Sequence, residues 1–269
     1  GTATTDDRSA TAPSAPPGRP AASTRHPRSA SRAQAAAPRP PAAPVHTPER
    51  MAPVWPAPGG QTGAVGIYRE QLLPRLVDRA CGSKGYDRWR REVTAGLSGT
   101  VVEIGFGSGL NMPAYPAAVE RVYAVEPASL GRRLAAGRIA YSHVHVEHVG
   151  LHGEALPLDD DSCDGALSTF TLCTIPAVEQ ALAEVRRVLR PGGRFHFLEH
   201  GLAPDPGVAR WQHRFEPLQK RVADGCHLTR DPVALVEAAG FRVERVERRY
   251  ARGPKPWSYF SRGEAVDPT

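Results

Sequence analysis

The sequence predicts an α/β fold, a mostly parallel sheet covered by helices on both faces. Three observations predict it. Short β-branched runs alternate with segments of helical spacing from residue 100 onward. The first of those runs, Val101-Val102-Glu103-Ile104, passes directly into Gly105-Phe106-Gly107-Ser108-Gly109. The second run closes on an acid, Glu126. A glycine turn after one strand and an acid at the tip of the next are what such sheets use to hold a ligand.

The elements follow in order. Residues 67–80 place Leu72, Leu73, Leu76, Val77 and Ala80 at helical spacing, with Pro74 inside as a kink. A short helix is expected over residues 86–95. Strands are expected at 100–104, 121–125 and around the histidines of 144–149. Residues 163–168 and 194–198 supply two more. Between these last two, Leu182, Val185, Val188 and Leu189 share one face of a helix from residue 178, which stops at Pro191-Gly192-Gly193. A helix over 232–239 ends at Gly240, a strand follows at 241–247, and residues 257–260 are expected as a last edge strand. Trp211, Phe215 and Leu218 at helical spacing suggest a lid or core face that walls an apolar pocket.

The chain has 269 residues and a formal charge of +6. A basic balance points toward nucleic acid or an acidic membrane surface. Its distribution argues otherwise. Residues 1–60 hold 7 of the 34 Lys and Arg against 3 of the 28 Asp and Glu, and 13 of the 27 prolines. That Pro/Ala/Arg-rich leader reads as disordered, because it cannot bury enough apolar surface to offset the entropy of ordering it. Residues 61–269 are nearly balanced and long enough for one domain. No run of about 18 apolar residues exists, so no membrane span is expected. The four cysteines, Cys81, Cys163, Cys173 and Cys226, form no CxxC pair. Their spacing suggests neither a disulfide framework nor a metal, and a reduced cytoplasmic chain is the default. His143, His145, His148 and His152 do not converge at spacings of two, three and four.

The glycine loop is neither GxGxxG nor a P-loop, and no Lys-Ser/Thr follows it. Glu103 just before it suits a cationic or amine-bearing ligand better than a phosphate. Glu126 can accept hydrogen bonds from two ribose hydroxyls. Together they imply an adenosine-type ligand.

These residues carry a resemblance. Glu103-Ile104-Gly105-Phe106-Gly107-Ser108-Gly109 resembles motif I of the class I S-adenosylmethionine-dependent methyltransferases. Residues 153–164 resemble that family's third-strand motif, and residues 184–193 its helix-to-strand-5 motif. The resemblance implies a Rossmann-like fold with a seven-stranded sheet behind an N-terminal helical cap, and S-adenosyl-L-methionine as cofactor with S-adenosyl-L-homocysteine as product. It implies that Gly105, Gly107 and Gly109 cradle the methionine portion, with Glu103 near its amino group. Glu126 and Pro127 take the ribose side, and Gly153 and Glu154 border the adenine. Tyr68, Asn111, Thr169 and Phe170 complete the expected cofactor site. His152 stands where the family often has an acid.

Further segments narrow the resemblance. Leu172-Cys173, Glu199-His200 and Asp224-Gly225-Cys226-His227-Leu228-Thr229-Arg230 are similar to segments of the methyltransferase-like 7 thiol methyltransferases and their bacterial relatives. The implied acceptor is a small lipophilic thiol. The alternative is O- or C-methylation of a quinone-like or polyketide-like metabolite. His200, Asp224 and His227 are the candidate bases or substrate orienters. The plainer readings are a hydrogen-bonded surface histidine for His200 and helix capping for the loop before Asp231. Cys173 and Cys226 are expected as buried or lining thiols, since methyl transfer needs no enzyme thiol.

Overall fold

The structure is a computed structural model that describes residues 68–150 and 153–268. The expectations for residues 1–60 and for His152 lie outside the described residues. A wide turn, Tyr68–Leu72, leads into α1, Leu73–Cys81. Pro74 falls in the first turn of α1, where its missing N–H costs nothing. The chain therefore restarts a helix there instead of kinking one. Next come α2 (Asp87–Thr94), β1 (Gly99–Ile104), β2 (Val119–Val125), α3 (Ser129–Ala140) and β3 (His145–His148). They are followed by β4 (Cys163–Thr169), α4 (Val178–Val188), β5 (Leu189–His200) and α5 (Pro206–Val222). The chain closes with α6 (Pro232–Ala238), β6 (Arg242–Tyr250), the one-turn α7 (Lys255–Ser258) and β7 (Tyr259–Val266).

The seven strands form one sheet in the order β3-β2-β1-β4-β5-β7-β6. The first five are parallel, and β7 runs antiparallel to both β5 and β6. The expected edge strand at 257–260 is corrected here. Residues 255–258 form α7, and β7 lies inside the sheet between β5 and β6. Its residues explain why: Phe260, Ser261, Gly263, Ala265 and Val266 are all buried. The Arg-rich β6 takes the edge instead, where charged side chains protect an open strand.

Alternation along the strands divides the core. Val102, Ile104, Ala166, Phe195 and Phe197 pack on one face with Leu182 and Val185 of α4 and Val236 of α6. Val101, Val122, Leu167 and Leu198 pack on the other with Trp89 and Val93 of α2 and Ala135 of α3. The helix α3 is not among the sequence expectations. Its buried residues are Leu130, Gly131 and Ala135, too small and too few to draw an apolar stripe.

The strand order reverses between β1 and β4, and a ligand crevice is expected outside the carboxyl ends of the strands at such a point. Ile104 of β1 is level with Val125 of β2 and Ser168 of β4. Gly105, Glu126 and Thr169 therefore leave the sheet side by side.

Candidate functional site

A cavity of about 520 Å³ lies at this crevice. The glycine turn forms its floor. Gly105 has φ of +72°, and a Cβ there would stand 2.0 Å from the Thr171 hydroxyl oxygen, so only glycine fits between β1 and the loop after β4. Gly131, at the start of α3, is constrained by space. A Cβ would meet the Gly107 carbonyl at 3.1 Å and the Glu126 carboxyl carbon at 3.2 Å.

Glu126 is 8% exposed. Its Oε2 accepts from the Gly107 N–H and its Oε1 from the Ala128 N–H, both at 2.7 Å. Burial raises its pKa, against those two hydrogen bonds. Each carboxylate oxygen keeps a free lone pair at the cavity wall. Gly153 and Glu154 line the same cavity. Glu154 Oε1 is buried and has no hydrogen-bond partner among the described residues. A buried acceptor without a donor suits a ligand that brings one. Glycines that admit backbone contact, an acid with open lone pairs and this orphaned oxygen together fit an adenosine cofactor.

Glu103 is placed differently. Asn111 Nδ2 donates to its Oε1 at 2.6 Å and Tyr115 donates to its Oε2 at 2.5 Å. Burial pushes its pKa up to about 7 despite these hydrogen bonds. Asn111 also donates to Thr169 Oγ1 at 3.0 Å, and Arg90 Nη1 donates to Asn111 Oδ1 at 2.6 Å. Arg90, Asn111 and Thr169 line the cavity, and Glu103 lies behind them. Sequence reasoning finds Glu103 and Asn111 but misses Arg90, a cation delivered from α2. The signal was faint, since Arg90 sits among Arg88 and Arg91 in an Arg-rich helix.

The structure brings together Gly105, Gly107, Asn111, Glu126, Pro127, Gly153, Glu154, Thr169 and Phe170 on the cavity wall. Gly109 lies in the turn behind, where a Cβ would stand 3.3–3.4 Å from Ala135, Met112 and Phe106. Tyr68 is not brought to the wall. Its hydroxyl donates to the Val222 carbonyl at 2.7 Å and ties the first turn to α5.

The far end of the cavity lies beyond β4 and β5. Phe170, just after β4, and Asp224 line the cavity with φ of +57° and +48°, a conformation costly for non-glycine residues and concentrated at ligand sites. Leu73 and Val77 of α1, Trp257 and Phe260 add an apolar wall. Of the expected lid residues, Trp211 stacks on Phe215 at 4.3 Å and meets Trp257 edge-on at 4.8 Å. Helix α5 lines the cavity through Gln219 instead, and Ala223 just beyond its end adds to the wall.

His200, Cys173 and Cys226 stand at this end. His200 Nε2 is 3.2 Å from Cys226 Sγ, which is 3.8 Å from Cys173 Sγ. The hydrogen bond with Cys173 and then the pairing with His200 lower the Cys226 thiol, while Cys173 is pushed up. Burial alone would lower His200, but Cys226 and Glu199 outweigh it and raise it. His227 is not part of this group. Its Nδ1 lies 3.0 Å from Glu216 Oε1 on α5, and it does not line the cavity. Asp231 caps α6, accepting from Val233 N at 2.9 Å.

A family model described as a methyltransferase domain matches residues 102–197. A rat protein, thiol S-methyltransferase TMT1B, is 33% identical over 171 residues, 62% of this chain and 68% of that protein. Human thiol S-methyltransferase TMT1A is 34% identical over 197 residues, 71% of this chain and 76% of that protein. A solved SAM-dependent methyltransferase of Thermotoga maritima superposes with a TM-score of 0.53 at 21% identity. It covers 74% of this chain and 99% of its own, a likeness of fold.

Proposed function

The chain belongs to the class I S-adenosylmethionine-dependent methyltransferases, and on that premise we propose that it moves the cofactor's methyl group to the sulfur of a small lipophilic thiol. The observation that carries this reading is the far end of the cavity, where an apolar wall surrounds an imidazole, His200, already engaged by Cys226. An alcohol acceptor needs a free base near its hydroxyl. A thiol needs much less, because with a pKa near 8.5 it is ionised to a few per cent at neutral pH and its thiolate is a strong nucleophile. The relatives named as thiol S-methyltransferases support the same choice.

S-adenosylmethionine supplies, when bound, a methyl group on a positively charged sulfur, so departure of the leaving group needs no proton. The chain's own residues position and shield. Glu126 accepts from ribose hydroxyls and Glu154 Oε1 from the adenine side. Gly105 and Gly107 let the backbone approach. Arg90, Asn111 and Thr169 hold the middle of the cavity as one hydrogen-bonded group. Phe170, Trp257 and Phe260 exclude water, which is the main demand of an in-line displacement. His200 and Asp224 orient the acceptor, whose thiol proton passes to solvent. The near charge balance of residues 61–269 favours a small molecule over nucleic acid.

The test is a screen of the purified chain with methyl-labelled S-adenosylmethionine against thiols, phenols and quinols. Product mass and methyl-carbon NMR identify the methylated atom. S-methyl products are expected. Labelled phenols or quinols with every thiol untouched would overturn the thiol assignment in favour of O- or C-methylation.

A further inference from the structure

Linear spacing gave no reason to expect a metal, because the relevant side chains belong to two separate loops and a strand end. Folding gathers them. Cys173 follows β4, His200 ends β5, and Cys226 lies between α5 and α6. One ligand atom from each lies within 4.8 Å of the others, and all three residues line the cavity. From this arrangement we propose that Cys173, His200 and Cys226 form a three-ligand site for a zinc-class cation, with a fourth position that opens onto the acceptor end of the cavity. The role of that fourth position, to take the acceptor sulfur as a thiolate, rests on the thiol reading above.

Three features of the geometry support the site. First, zinc holds sulfur at about 2.3 Å and imidazole nitrogen at about 2.0 Å in a tetrahedron, which separates two sulfurs by roughly 3.8 Å and a sulfur from a nitrogen by roughly 3.5 Å. The observed separations are 3.8 Å for Cys226 to Cys173 and 3.2 Å for Cys226 to His200, both within a few tenths of an ångström of those values, while Cys173 and His200 lie within 4.8 Å of each other and would draw together as the ion binds. Second, the segments that carry the ligands are fastened to one another. The His227 N–H donates to the Cys173 carbonyl at 2.9 Å. Arg230 Nη1 donates to the carbonyls of Leu172 at 2.5 Å and Ile175 at 2.8 Å. Glu199, next to His200, accepts from Thr171 N at 2.9 Å. A site this well braced keeps its shape before any ion arrives. Third, two cysteines and one histidine with one open position is the donor set of a catalytic zinc site, whereas a structural site closes with four protein ligands.

The chemistry also suits the proposed reaction. A cation with two thiolate ligands and one neutral imidazole carries no net charge, so a third thiolate can join it. The acceptor's S–H proton goes to solvent as its sulfur binds. The sulfur is then held, ionised, at the acceptor end of the cavity. Methyl transfer forms its new carbon–sulfur bond there and breaks the one to the donor sulfur, which keeps the electron pair.

The test uses the full chain, reduced and stripped with a chelator, titrated with cobalt(II) as a spectroscopic stand-in for zinc. A thiolate-to-cobalt charge-transfer band that saturates at one equivalent is expected. Cys173→Ser and Cys226→Ser should each weaken cobalt affinity at least a hundredfold, while Cys163→Ser, outside the cavity, keeps the band. No band, or a band that survives both substitutions, overturns the site. A second measurement needs no variant: zinc should slow alkylation of Cys173 and Cys226 at least tenfold in the wild-type chain, and equal rates with and without zinc overturn the site as well. Adding a small thiol to the cobalt form should then shift the band. If the band does not shift although thiols are methylated, the open-position role falls and the thiol reading stands. If one-equivalent cobalt binding is found but no thiol is methylated, the thiol reading fails while the site stands.

Discussion

At the scale of single residues, the site depends on which atoms have no room to change. Gly105 and Gly107 both take positive φ, at +72° and +56°, but their surroundings differ. A Cβ on Gly107 meets nothing closer than 3.8 Å, whereas one on Gly105 runs into Thr171 at 2.0 Å. Gly107→Ala should therefore cost only the backbone strain of a left-handed residue, about 1–2 kcal/mol. Gly105→Ala adds a steric clash of about 1–3 kcal/mol to that strain. Urea denaturation of the two variants checks the order, and equal midpoints would refute it. Glu126 acts through bonds instead of space. Glu126→Ala frees two backbone N–H groups and removes both acceptors facing the cavity. Hydrogen bonds to a charged group contribute about 1.5–3 kcal/mol each, so binding of S-adenosylhomocysteine should weaken by two or more orders of magnitude in calorimetry. Wild-type affinity in this variant would remove Glu126 from the cofactor site.

At the scale of elements, Glu103 joins β1 to the turn after it and, through Asn111, to Arg90 of α2. Its pKa rises from 4.5 to about 7 on folding, and the groups that face it are Tyr115, Asn111, Arg90 and, farther off, Glu126. A raised acid pKa means that ionisation costs the folded state more than the unfolded one. The stability tied to protonated Glu103 is complete below about pH 4.5 and is lost as pH rises through about 7. At about 1.4 kcal/mol per pKa unit this amounts to roughly 3 kcal/mol. Glu103→Gln cannot ionise, so the stability difference between wild type and variant should move against the wild type by 2–3 kcal/mol between pH 4.5 and 8. A difference independent of pH would mean that the carboxyl is ionised throughout. The same scale decides α6. Asp231 accepts from Val233 N and Ala234 N, and Asp231→Ala should cost about 1 kcal/mol in urea, with Asp231→Ser recovering most of it.

At the scale of the molecule, legibility in the sequence followed locality. Motif I, Glu126 and the residues after β3 and β4 were legible because each ends a strand, and parallel strands deliver their ends to one place. Helix α3 was not legible, because small buried residues leave no hydrophobic pattern. The position of β7 was obscured because its pairing partners, β5 and β6, are set by long-range contacts. The grouping of Cys173, His200 and Cys226 was invisible for the same reason, since two loops and the end of β5 meet only after folding. That convergence makes a last prediction. The residues proposed to hold the cofactor follow the ends of β1, β2, β3 and β4, and both core clusters share that sheet. A ligand bound there should stabilise the domain as one unit instead of ordering a local loop. At a free concentration about 100 times its Kd, S-adenosylhomocysteine should add about 2.7 kcal/mol. For a domain of this size that corresponds to a Tm increase of roughly 5–10 °C in a single transition. Calorimetric scans should show the shift grow with the logarithm of ligand concentration and vanish in Glu126→Ala. Two separate transitions, with only one moved by ligand, would show that the sheet ends unfold independently of the rest.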